Sequence, residues 1–153
     1  MQQKFNHQPH IGRRILAALI DYGLIYTIIY VFLMSFGTPT PLGGYSITGL
    51  PILIPIAFWL LMTVGLESGL GGTLGNSIVG LKAIPQNGRN RKLTFSESFK
   101  RHFLDLVDLS FLGLPAILLL KRTEKCQRFG DLWAKTIVVK MSSLETTGTS
   151  FSE

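Results

Sequence analysis

The chain has 153 residues, 46 % hydrophobic and only 16 % charged, with Lys+Arg 15 against Asp+Glu 9 and a formal net charge of +6. A typical soluble domain carries about 25 % charged residues, and a nucleic-acid binder clusters its cations on a polar scaffold, so neither class fits and no nucleic-acid partner is expected. The length suits one domain, and the aliphatic and aromatic content excludes a disordered chain.

Residues 1–10 form a polar tail that is expected to be flexible. Ile15 to Phe36 then reads ILAALIDYGLIYTIIYVFLMSF, 22 residues with one charge, Asp21. As a helix it is about 33 Å long, enough for a hydrocarbon core of roughly 30 Å. It is longer than a signal-peptide core, and no A-x-A cleavage site follows, so an uncleaved anchor is expected. Ile47 to Leu66 is a second run, with no charge. Pro51 fits its first turn, and Pro55 predicts a kink, which membrane helices tolerate. Both runs are predicted to span a membrane.

The segment from Gly65 to Lys82 is rich in glycine but fails as a phosphate loop: in Gly75-x-x-x-x-Gly80 the lysine comes one place late, and no Ser or Thr follows it. Gly65/Gly69 and Gly71/Gly75 have the small-x-x-x-small spacing of close helix packing. Leu81–Ile84 and Thr136–Met141 are short β-prone runs, predicted to pair as a small cytoplasmic ribbon. Thr94 and Glu97 have capping-box spacing, so a helix is predicted to start near Phe95. It places Phe95, Phe99, Phe103 and Leu106 on one face and Arg101, Asp105 and Asp108 on another. Gly113 and Pro115 break it, and an apolar segment follows to Leu120. Residues 142–153 are Ser/Thr-rich and are predicted to be disordered.

The cations set the topology. Lys4, Arg13 and Arg14 precede the first run, the loop 37–46 has none, and six each fall in 67–102 and after 120. The positive-inside rule places the N-terminus and the 67–102 segment in the cytoplasm. A third full span across 95–121 would export the last six cations, so a re-entrant or interfacial hairpin fits better, with a third span as the alternative. The fold class is thus an all-α membrane protein: two transmembrane helices, a broken third helical element and the ribbon. Anionic headgroups are expected against the cationic face.

Arg14 and Asp21 are seven residues apart, a turn of about 700°, so they share one helix face about 10 Å apart in rise. Arg101 and Asp108 repeat the spacing, with Asp105 one turn from Arg101. Facing each other, these pairs would form a charged seam. One reading is a relay or gated ligand site; the other is a buried network that fixes packing. The hydroxyls of Tyr22, Tyr26 and Tyr30 are further candidates to partner Asp21. Cys126 is alone, and His7, His10 and His102 have no ligands at metal spacing, so no metal or other cofactor is expected. No nucleophile–base pair is recognisable, and an enzyme is not expected.

Arg14-Ile-Leu-Ala-Ala-Leu-Ile-Asp21, then Leu66-Glu67 before Gly72-Thr-Leu-Gly75 and Gly80-Leu-Lys82, then Arg128-Phe-Gly-Asp131-Leu-Trp-Ala-Lys-Thr136 resemble the RDD family of small membrane proteins. The resemblance covers residues 11–141 in order. It assigns Arg14 as the family arginine and Asp21 as the first aspartate, with Asp108 or Asp131 as the second. Asn76 and Gly130 depart from the family's usual basic residue and histidine. The resemblance implies transport of an ion or small ligand in the cell membrane, some relatives being sodium/proton antiporters. Together with the spacing argument, this gives an expected transport or charge network of Arg14, Asp21, Glu67, Arg101, Asp105, Asp108, Arg128 and Asp131. Two spans and a hairpin cannot enclose a path alone, so a homo-oligomer or a membrane partner is expected. The alternative role is a structural or accessory subunit whose charged seam docks a partner helix.

Overall fold

A computed structural model describes residues 9–105 and 114–148. Two long helices dominate it. The first, α1, runs over Ile11–Phe36, and the second, α2, over Leu50–Leu70; both are long and apolar enough to cross a membrane. Only 17 % of each apolar window is buried, whereas the core helix of a soluble protein would be mostly covered. The buried residues of α1 are Ala17, Asp21 and Ile25. Their spacing of four puts them on one stripe, and this stripe meets the rest of the protein.

Between the long helices, β1 (Thr38–Pro39) and β2 (Tyr45–Ser46) pair antiparallel across a turn with Gly43 and Gly44 at positive φ. The helix α2 opens with a 3-10 turn at Leu50–Ile52 that holds Pro51. Its recorded departure from α geometry lies not at Pro55 but in a wide π turn at Leu61–Gly65, where the Thr63 hydroxyl donates back to the Trp59 carbonyl at 2.7 Å.

A short helix α3 (Leu74–Ile78) follows, capped by Thr73, whose Oγ1 accepts from the Asn76 N–H at 3.3 Å. Gly75 lies so close to α1 that a Cβ there would run into the Ala17 carbonyl, whereas one on Gly69 would meet nothing within 4 Å. Of the small-residue positions, Gly75 is therefore the one that lets a helix approach α1.

The strand β3 (Leu81–Pro85) pairs antiparallel with β4 (Thr136–Lys140), Leu81 opposite Lys140 and Pro85 opposite Thr136. Ile84, Ile137 and Val139 form its apolar core, and Leu144 packs on them. Residues 142–148 of the Ser/Thr-rich tail lie in a helix, α7 (Met141–Gly148); Leu144 has an apolar surface to bury against, and the Ser143 hydroxyl donates to the Lys140 carbonyl at 2.6 Å.

The helix α4 (Phe95–Phe103) starts at its capping box: the Glu97 N–H donates to Thr94 Oγ1 at 3.3 Å, and the Thr94 N–H to Glu97 Oε2 at 2.8 Å. The expected break falls partly outside the described residues, as do Leu106, Asp108 and Gly113. Beyond them lie α5 (Leu114–Arg122) and α6 (Phe129–Ala134). Pro115 falls in the first turn of α5, where its missing N–H leaves no helical bond unmade.

Candidate functional site

The polar residues point inward. On α4 the buried side chains are Ser98, Arg101 and His102, while Phe95 and Phe103 are 61 % and 57 % exposed. On α6 Gly130, Asp131 and Ala134 are buried, and Phe129, Leu132 and Trp133 are exposed. Gly130 makes the α4–α6 contact possible, since a Cβ there would enter the Arg101 carbonyl.

Asp131 is the hub. It is 0 % exposed. Arg14 Nη1 donates to its Oδ2 at 2.9 Å, Arg101 Nη1 donates to its Oδ1, and the Arg128 backbone N–H donates to Oδ2 at 3.2 Å. Burial pushes this carboxyl up, but Arg101, Arg14 and Arg128 outweigh it and hold it down at about 2. Arg101 reaches across to α2, where its Nε donates to Glu67 Oε2 at 3.2 Å, and Ser98 Oγ donates to the same oxygen at 2.7 Å. Arg101 Nη1 also donates to Thr136 Oγ1 at 3.1 Å, tying β4 to the cluster. Arg14 Nη2 donates to the Cys126 carbonyl at 3.1 Å.

His102 bridges two carboxylates. Its Nδ1 lies 2.7 Å from Asp105 Oδ2, and its Nε2 lies 3.3 Å from Glu67 Oε2. The Nδ1 contact is a hydrogen bond, whereas Nε2 faces Glu67 at ion-pair distance without hydrogen-bond geometry; a carboxylate at each ring nitrogen favours the imidazolium. Burial alone would lower its pKa, but Asp105 and Glu67 outweigh burial and raise it to about 9. Asp105 also takes Arg128 Nη1 on Oδ1 at 2.8 Å and the Tyr22 hydroxyl on Oδ2. Its carboxyl is held low by Arg128 and His102 against the upward push of burial.

The expected seam is therefore rearranged. Arg14 and Asp21 share a face of α1 but go to different partners. Arg14 turns to Asp131, and Asp21 Oδ1 accepts the Gly75 N–H at 2.6 Å. Tyr22 serves Asp105 and not Asp21. Arg101 meets Glu67 and Asp131, while Asp108 lies outside the described residues. The structure brings together Arg14, Glu67, Arg101, Asp105, Arg128 and Asp131, with Asp21 beside them. The residues that spacing arguments missed are His102, Tyr22 as a partner of Asp105, Ser98 and Thr136. The i, i+3 relation of His102 to Asp105 was the available signal.

Next to this network is a cavity of about 600 Å³ lined by α1, α3, α4 and α5. Its charged and polar lining includes Arg14, Asp21, Arg101, His102, Asp105 and Arg128. Its walls are mostly apolar, with Ile15, Leu19, Ile117 and Leu120 among them. Among the described residues no group of His, Cys, Asp and Glu is arranged to hold a metal ion.

No curated protein and no solved structure matches the chain. Residues 8–135, which include both long helices, Arg14, Asp21 and the Asp131 hub, match the model of the RDD family. The chain is a membrane protein of the RDD family.

Proposed function

We propose that this protein is a multi-pass transporter of the cell membrane, not an enzyme, which moves an ion or small ligand through the cavity beside the Arg–Asp network. The cavity carries the reading. The network borders about 600 Å³ of half-open space, a volume in the range of small-ligand sites. Two long helices cannot enclose a path alone, so the working unit is a homo-oligomer or a complex with a membrane partner.

The orientation follows from the cations, with the N-terminus and the ribbon on the cytoplasmic side against anionic headgroups. The β3–β4 pairing supports a folded-back third element: a chain that leaves β3 and returns to pair with it ends on the side where it began. The inverted polarity of α4 and α6, charged inside and aromatic outside, supports contact of both with lipid.

A second reading has its own observation. Each arginine of the network already faces a carboxylate, as in a network that serves packing or docks a partner helix. Reconstitution of the purified chain into vesicles under pH and sodium gradients separates the two. Flux lost in Asp21→Asn with assembly intact supports transport; absence of Asp21-dependent flux supports the accessory role.

A further inference from the structure

We propose that Asp21 is the anchor of a binding site for a lipophilic monovalent cation, an amine or quaternary onium held by charge at one end and by apolar walls around the rest; this rests on the transport reading and names its ligand class. Four observations carry it.

The arginines that line the cavity are already engaged: Arg14 and Arg101 with Asp131, Arg101 also with Glu67, and Arg128 with Asp105. His102 is fixed between Glu67 and Asp105. Each of these charges already faces a carboxylate, although Arg14 Nε has no hydrogen-bond partner. Asp21 is different. It is 8 % exposed, lines the cavity, and has no Lys, Arg or His within ion-pairing distance among the described residues. The hydrogen-bond donors that hold it are neutral, the Gly75 N–H and the Thr73 hydroxyl. A carboxylate at membrane depth is costly without a counter-charge, and a cationic ligand supplies one.

The cavity's shape and walls define the rest of the ligand. Apolar side chains from α1 and α5 would not solvate a hydrated metal ion, but they suit hydrocarbon. Tyr22 and Tyr26 line the same space, with ring centroids 5.9 Å apart. Aromatic faces next to a carboxylate are the surroundings in which quaternary ammonium groups bind.

The test uses two probes of the same size and opposite charge, radiolabelled tetraphenylphosphonium and tetraphenylborate, dialysed against the full chain in detergent with empty micelles subtracted. The expected result is saturable binding of the cation, at least tenfold tighter than the anion. The formal net charge of +6 would favour the anion non-specifically, so the preference runs against the protein's overall field. Asp21→Asn, which keeps an acceptor for Gly75, is expected to weaken the cation at least tenfold. Tyr26→Leu, which touches no ion pair, is expected to weaken it several-fold and stands if Asp21→Asn does not fold. Equal binding of both probes, or cation binding unchanged in both variants, overturns the proposal. Asp21-dependent proton or sodium flux without phosphonium binding overturns the ligand class and leaves transport standing. Asp21-dependent phosphonium binding without any flux supports the site and removes the transport reading.

Discussion

Arg14 and Asp131, 117 residues apart in the chain, meet at 2.9 Å between the start of the first long helix and the short helix before the last strand. The pair joins the two ends of the family-matched region. Asp131 is fully buried and also holds Arg101. Removing its charge leaves Arg14 without its carboxylate and Arg101 with Glu67 alone. Asp131→Asn is therefore expected to destabilise the fold by about 3–5 kcal/mol, the range for breaking a buried ion pair from one side. Thermal unfolding in detergent checks this. An unchanged midpoint would mean that the arginines find other partners.

The His102 bridge predicts a pH dependence. Its folded pKa, about 9, lies above the ordinary 6.5. A raised pKa in the folded state means that folding binds the proton more tightly, so the stability it contributes is complete below 6.5 and is lost as pH rises through about 9. The unfolding temperature is expected to fall across this window. In His102→Asn the slope between pH 6.5 and 9 is expected to flatten, because the titrating group is gone. The same slope in both proteins would assign the effect to another group.

Gly75 and Gly69 make a matched pair. A methyl group on Gly75 meets the Ala17 carbonyl and Asp21, while one on Gly69 meets nothing within 4 Å. Gly75→Ala is expected to push α3 from α1, break the bond to Asp21 and lower stability by about 1–3 kcal/mol, as overpacking does. Gly69→Ala is expected to be neutral or to stabilise by up to about 1 kcal/mol through the unfolded chain. Unfolding midpoints of the two variants, measured side by side, decide it.

These contrasts show where reading the chain stops. Hydrophobic runs, the Thr94/Glu97 box and the two β-prone segments are local patterns, and each corresponds to an element in the structure. Spacing on one helix also says which charges share a face, as with Arg14 and Asp21. It cannot say what faces them, because partners come from elements far along the chain: Asp131 for Arg14, Gly75 for Asp21. Asp21 and Arg14 lie about 10 Å apart in rise, so one face serves two unrelated contacts. The helix at Met141–Gly148 has no local signature for the same reason, since its packing residue, Leu144, rests on strands that pair far along the chain, Leu81 with Lys140 and Pro85 with Thr136. Nothing local marks His102 as a charge between carboxylates, because Glu67 comes from the second long helix.

The exposed aromatics of α4 and α6 make the last prediction. Phe103 and Trp133 touch, with ring centroids 6.0 Å apart, and both are largely uncovered. In water such a patch beside Phe95 and Leu132 would drive association; at a bilayer interface Trp is a preferred residue. The chain has Trp 2, so Trp59→Phe leaves Trp133 as its sole tryptophan. In vesicles its fluorescence is expected to be quenched by lipids brominated near the headgroup more than by lipids brominated near the chain ends, and only weakly by aqueous iodide. Strong iodide quenching with none from bromolipid would place α6 in water and remove the support that inverted polarity gives to a lipid-facing third element. Maximal quenching by the deepest bromines would instead place α6 within the hydrocarbon core and not at the interface.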